Sequence, residues 1–86
     1  MKPRDITDAK VCDVISRAIG VSPAVVLPST SLRGELGLDS VGLLSIAFIL
    51  QEQIKIDAFD HARDFIEAET VSDIIGVVRR TLSEDA

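Results

Sequence analysis

The chain has no tryptophan, no tyrosine and only three phenylalanines, and its nine Lys and Arg are outnumbered by fourteen Asp and Glu. Nucleic acid binding needs a basic surface and usually stacking side chains, so a net charge of -5 argues against it and favours a basic partner. A lone cysteine, Cys12, excludes an intramolecular disulfide and a multi-thiolate metal site; set among Val11, Val14 and Ile15, it is expected in the core of a protein from a reducing compartment. A lone histidine, His61, has no cysteine or second histidine nearby to complete a metal set and is expected to be a solvated helix residue. No apolar run approaches the roughly 20 residues of a membrane span. The start, Met1-Lys2-Pro3-Arg4-Asp5, lacks the apolar centre of a signal peptide, so the expected location is the cytoplasm. Strand-like alternation, internal repeats, low-complexity blocks and interdomain linkers are missing too. What the chain does have is aliphatic residues: a hydrophobic content of 47% in 86 residues is enough for one modest core.

Those apolar residues recur at spacings of three and four, which predicts helices. Val11, Val14, Ile15 and Ala18 share a face, with Ile19 beside them and Gly20 placed to end the helix, giving helix one over about Thr7 to Ile19. From Gly20 to Asp39, Pro23, Pro28, Gly34, Gly37 and Ser29-Thr30-Ser31 predict a long loop, in which Ser22-Pro23 can open one helical turn and Leu27, Leu32, Leu36 and Leu38 are expected to pin the chain to the core. A short third helix follows Lys55-Ile56-Asp57, with Phe59, Ala62 and Ile66 on one face and Asp57 or Asp60 as N-cap. The last helix starts at Thr70-Val71-Ser72-Asp73 and buries Val71, Ile74, Ile75, Val78 and Leu82; Arg79 and Arg80 are expected near its end, where cations suit the dipole, before a frayed tail over 83–86.

The second helix, about Ser40 to Ile54, has two apolar stripes. Leu43, Ile46, Ala47, Leu50 and Ile54 form one; Val41, Leu44 and Phe48 form another on nearly the opposite side, with Ser45 and Glu52 as polar neighbours. Either the second stripe packs under the long loop or a later helix, or it is partly exposed and docks a partner.

Recognisable catalytic patterns are absent. Gly34 and Gly37 follow no strand and make no phosphate loop, the acidic residues from Asp57 to Asp73 have no calcium-loop spacing, and a triad would require His61 to reach Ser40 through the fold. No catalytic or metal-ligating residue is assigned, and the chain is not expected to be an enzyme. The informative stretch is Glu35-Leu36-Gly37-Leu38-Asp39-Ser40, where a glycine-containing loop meets an uncharged run from Val41 to Gln51. Taken alone, Asp39-Ser40 before an apolar helix is a cap. A helix N-terminus also offers unpaired amides and a positive dipole end that suit a phosphate, so Ser40 is a sensible acceptor for a phosphodiester-linked group installed by another enzyme.

Leu36-Gly37-Leu38-Asp39-Ser40, the preceding Ala18-Ile19-Gly20-Val21 and the following Glu69-Thr70-Val71-Ser72-Asp73-Ile74-Ile75 together resemble the acyl carrier proteins and the related peptidyl carrier domains, from about Ile6 to Leu82. The resemblance implies an all-α four-helix bundle with a long loop between helices one and two and a short third helix. It also implies a single carrier domain over 1–86 with a folded core of about 6–82. Ser40, flanked by Asp39, would carry 4'-phosphopantetheine added from coenzyme A by a phosphopantetheinyl transferase, and the arm would hold acyl or aminoacyl groups as thioesters. Partners would be that transferase and acyl-loading and acyl-processing enzymes such as ligases, ketosynthases and acyltransferases, meeting a monomer. The family commonly presents acidic residues on helix two, whereas here only Glu52 is charged near its end. Recognition is therefore expected to rest on Val41, Leu44 and Phe48, with Glu52 at the rim. That departure points to a specialised polyketide, lipid or related pathway. A peptidyl or aminoacyl carrier and an unmodified helical interaction module are the alternatives.

Overall fold

Proline suits the first position of a helix, because the N–H it lacks has no intrahelical partner there. Helix α1 opens on one, running Pro3–Ile19, in a computed structural model that describes the backbone over residues 3–85 and side chains over 8–58 and 60–83. It begins a turn before Thr7, since nothing between Pro3 and Thr7 breaks a helix. It ends where Gly20 takes φ +71° and the Val21 N–H reaches back to the Ser16 carbonyl at 3.0 Å. Val11, Val14 and Ile15 are buried and Ile19 half-buried. Ala18, expected on that face, is exposed, and Cys12, expected in the core, is half-buried; burial, and then the Asp8 carboxylate, push its thiol pKa up. Ser16 is buried instead, its hydroxyl donating to the Asp13 carbonyl at 2.8 Å. The loop that follows packs on α1 through a 3-10 turn over Pro23–Val25.

That turn opens as the sequence predicts, with Ser22 Oγ accepting from the Ala24 N–H at 3.2 Å. Beyond it the loop is held by Val26 and Leu32, both buried, and by half-buried Leu36 and Leu38. Leu27, expected as an anchor, is 54% exposed. Buried Thr30 fixes the backbone so that Val26 points inward: its hydroxyl accepts from the Leu27 N–H and donates to the Val25 carbonyl. The loop then bonds to the start of the last helix through Leu32 N–H to Glu69 O, Val71 N–H to Thr30 O and Ser72 N–H to Pro28 O, at 2.8 to 3.1 Å. Ser31 and Thr70 form an isolated antiparallel bridge in the same place.

Helix α2, Ser40–Ile54, buries Leu43, Ile46, Ala47 and Leu50, with Ile54 half-buried. It closes at Lys55, a non-glycine residue in the left-handed region (φ 64°) whose N–H returns to the Gln51 carbonyl at 3.1 Å. The Gln51 side chain then accepts from the Ala58 N–H at 3.1 Å and ties the next segment to α2.

Residues 59–61 form a second 3-10 turn, with Asp57 accepting from the Asp60 N–H, and helix α3 spans only Ala62–Glu67. Phe65 is its buried anchor, while Ala62 and Ile66, expected on the buried face, are half-buried. The Phe59 side chain lies outside the described side chains. Among the described residues no side-chain bond caps α3; Asp57 serves the 3-10 turn and Asp60 neither. Helix α4, Val71–Asp85, starts on a capping box: the Asp73 N–H donates to Thr70 Oγ1 while the Asp73 carboxylate accepts from the Glu69 and Thr70 amides at 3.0 and 3.1 Å. Val71, Ile74, Ile75 and Val78 are buried together with Val77 and Thr81, and Leu82 is half-buried.

The helix continues through 83–85, where a frayed tail was expected, so Arg79 and Arg80 are not in its last turn. They make ion pairs instead, Arg79 with Asp8 of α1 and Arg80 with Asp64 of α3. Helix α1 packs on α2 and α4, and α3 on α2 and α4. The outcome is the expected all-α, four-helix arrangement with a long first loop and a short α3.

Candidate functional site

The loop turns into α2 over residues 36–42. Leu36 and Leu38 are half-buried against the core, and Gly37 between them adopts φ +67°, a conformation that side chains with a Cβ rarely take. The Leu38 N–H bonds the Leu32 carbonyl at 2.9 Å. A Cβ on Gly42 would meet Leu38 Cδ2 at 2.9 Å and Asp39 Oδ1 at 3.4 Å, so glycine there lets both side chains close over the first turn. Asp39 then caps the helix: its carboxylate accepts from the Gly42 N–H at 2.8 Å and its carbonyl from the Leu43 N–H at 2.9 Å.

Because Asp39 is the cap, Ser40 is the first residue of the helix itself, exposed, and its hydroxyl is not used to cap. Its one side-chain hydrogen bond among the described residues is a long one, to Arg33 Nη2 at 3.4 Å. That same nitrogen donates to the Ile66 carbonyl of α3 at 3.1 Å. A guanidinium donates hydrogen bonds and cannot take the serine proton, so any chemistry at Ser40 Oγ would need a base from elsewhere. A phosphate on its oxygen would meet the unpaired amides at the start of α2 and a cation. Glu35 accepts from the Ser31 N–H at 3.2 Å and shapes the loop.

Val41, next to the serine, is 71% exposed and Phe48 48% exposed, with half-buried Leu44 between them. Leu44 and Phe48 also border a shallow apolar hollow against Ala58 and Ala62, so the stripe is partly covered by the segment around α3 and partly open. Glu52 is exposed on the same line, twelve residues beyond Ser40 and so about 18 Å along the helix. His61, expected in solvent, is half-buried and lies 3.5 Å from the Asp64 carboxylate, which also faces Arg80 at 3.6 Å.

Arg33 is the residue that the sequence reading passes over. It is the only cation between Arg17 and Lys55, and that isolation was the available signal. Its partners, seven residues ahead and on α3, appear only in the fold.

The four helices thus present the exposed Ser40 at a capped helix start. The model of the family described as phosphopantetheine attachment site matches residues 9–78, most of the chain, and the chain belongs to that family. Its domains carry covalently attached 4'-phosphopantetheine and are carriers rather than catalysts, a role that implies dealings with modifying and acyl-processing enzymes. Among the described residues no helix is long and apolar enough to cross a membrane.

Proposed function

We propose that Ser40 is the attachment residue and that residues 1–86 act as one monomeric carrier domain for acyl intermediates of a specialised polyketide, lipid or related pathway. The observation that carries the first part is the division of labour at the start of α2, where Asp39 caps and Ser40 stands exposed with its hydroxyl unused by the helix. On this reading a phosphopantetheinyl transferase forms the bond from Ser40 Oγ to phosphorus as the pyrophosphate bond of coenzyme A breaks. Adenosine 3',5'-bisphosphate leaves, and the serine proton passes to the transferase's base. When bound, the arm supplies a terminal thiol on a flexible tether, which holds the acyl group as a thioester and raises its concentration at each partner's active site. A cytoplasmic setting, where coenzyme A and the transferase are at hand, goes with this assignment.

The specialised pathway rests on the surface of α2. Val41, Leu44 and Phe48 offer apolar contact, with Asp39 and Glu52 as the charges at the two ends of the line. Rim charges mainly set encounter rate and discrimination, while buried apolar contacts set lifetime, so ligases, ketosynthases or acyltransferases that fit this surface are apolar and sparsely basic.

Intact-mass measurement after incubation with coenzyme A and a broad-specificity transferase tests the assignment. One arm's mass is expected on the wild type and none on Ser40→Ala. No gain with several transferases would make the chain an unmodified helical module. Loading of an amino acid by an adenylation enzyme would make it a peptidyl carrier. Loading by a housekeeping fatty-acid malonyl transferase as efficiently as that enzyme's own carrier would remove the specialised pathway.

A further inference from the structure

The geometry points to Arg33 as a phosphate-binding residue that holds the root of the arm on the α3 side of Ser40, an inference that rests on Ser40 being the attachment residue. Three observations meet there. The guanidinium already sits beside the oxygen that would be esterified, with Nη2 3.4 Å from Ser40 Oγ. It does not reach that position as a loose surface side chain: the same Nη2 is anchored by the Ile66 carbonyl of α3 at 3.1 Å, and Arg33 follows Leu32, which is fully buried. The other charges close to Ser40 in sequence are of the wrong sign: Glu35 and Asp39 accept bonds from the Ser31 and Gly42 amides.

A phosphodiester on Ser40 adds a negative charge beside those two carboxylates in a chain of net charge -5. Its two unesterified oxygens extend beyond Oγ by one phosphorus centre, into the space the guanidinium borders. Arginine has five N–H donors in a planar fork suited to phosphate oxygens, and both contacts found among the described residues use Nη2 alone. The long contact to the neutral hydroxyl is therefore replaced by a charge-assisted bond once the group is attached, and the Ile66 anchor fixes its direction toward α3. The arm's root is positioned by Arg33; no bond is made or broken by it.

The test compares apo and holo protein, with the holo form verified by intact mass and by its absence in Ser40→Ala. In the wild type, the Arg33 Nε–Hε resonance is expected to move on loading. The 31P resonance of the holo protein is expected to be displaced in Arg33→Gln, and to move toward the Arg33→Gln position when salt is raised to about 1 M, where the screening length falls to about 3 Å. An Arg33 side-chain signal unchanged between apo and holo, with a 31P position and salt response identical in wild type and Arg33→Gln, overturns the inference. If Arg33→Gln does not fold because the Ile66 anchor is lost, the wild-type apo–holo comparison and its salt dependence decide alone. If mass shows no arm, or shows one that survives Ser40→Ala, the attachment assignment itself fails and takes this inference with it. That failure is read on the balance of masses, not in the resonances.

Discussion

Replacing Asp39 by alanine removes the acceptor of the 2.8 Å bond from the Gly42 amide and leaves that N–H to water. The position is exposed, so no buried donor is orphaned and the cost is that of a lost N-cap, about 1 kcal/mol within a range of about 0.5–2. One kcal/mol lowers a folding constant about fivefold and, in a domain of 60–100 residues, lowers the melting temperature by about 4–8 °C. Asp39→Asn keeps an oxygen at the same place and loses only the charge, so it is expected to retain most of the stability. The loss of a favourable charge at the helix start costs it a few tenths of a kcal/mol. Circular-dichroism melts of the two variants separate cap from charge. Timed intact-mass assays with one transferase then ask whether a frayed first turn slows modification of Ser40: Asp39→Ala is expected to load more slowly than Asp39→Asn. Alanine melting with the wild type, or asparagine losing as much as alanine, would refute the capping role. The hydroxyl of Ser40 could then no longer be counted as unused by the helix.

Acid stability follows from Asp73, whose carboxylate is held below the usual range by hydrogen bonds from the Glu69 amide first and the Thr70 amide second. A folded pKa below the unfolded one gives stability that is present above the unfolded value, near 4, and lost as pH falls through the folded one. Urea unfolding of the wild type at a series of pH values should show that loss below about pH 4, and Asp73→Asn should lose less over the same window; parallel curves would remove Asp73 as the source. On the apolar face, Val41→Asp lies in the first turn at a side chain that is 71% exposed and should leave stability within about 0.5 kcal/mol, while transfer to and from partner enzymes falls several-fold. Phe48→Asp, at a more covered site, should act in the same direction with a larger melting shift; unchanged transfer with both variants would take the stripe out of recognition.

The parts of this protein that could be read from sequence are those where one local rule acts alone. Apolar spacing placed α2 within Ser40–Ile54, glycine marked the end of α1, and Thr70 to Asp73 announced the start of α4. Reading failed where an element's rotation or depth is decided by a neighbour distant in sequence. Phe65, rather than Ala62 or Ile66, is the fully buried residue of α3, although all three share a helical face; periodicity does not rank depth within a face. Val26 points inward in place of Leu27, where Thr30 bonds both flanking backbone groups. Arg79 and Arg80 were placed by helix-dipole reasoning, but the chain gives them carboxylates from α1 and α3. At the site, the pair Asp39-Ser40 is legible as cap or acceptor; only the backbone shows that Asp39 is the cap and that the Ser40 hydroxyl is not.

That one-residue separation matters physically. A serine that capped its own helix would accept a bond from an amide in the first turn, and esterifying it would disturb about 1 kcal/mol of helix stability each time the group was added or removed. With the cap on Asp39, the Gly42 amide keeps its partner whether or not Ser40 is substituted. Gly42 adds to this, because a Cβ there would meet Leu38 Cδ2 at 2.9 Å and require that side chain to shift, while it would only touch the Asp39 carboxylate. On the attachment proposed for Ser40, modification would therefore break no capping bond at the start of α2. A partner that must tell apo from holo has to read the arm itself or the contact it makes, and Arg33, anchored on α3 and facing Ser40, is the side chain placed to register that difference.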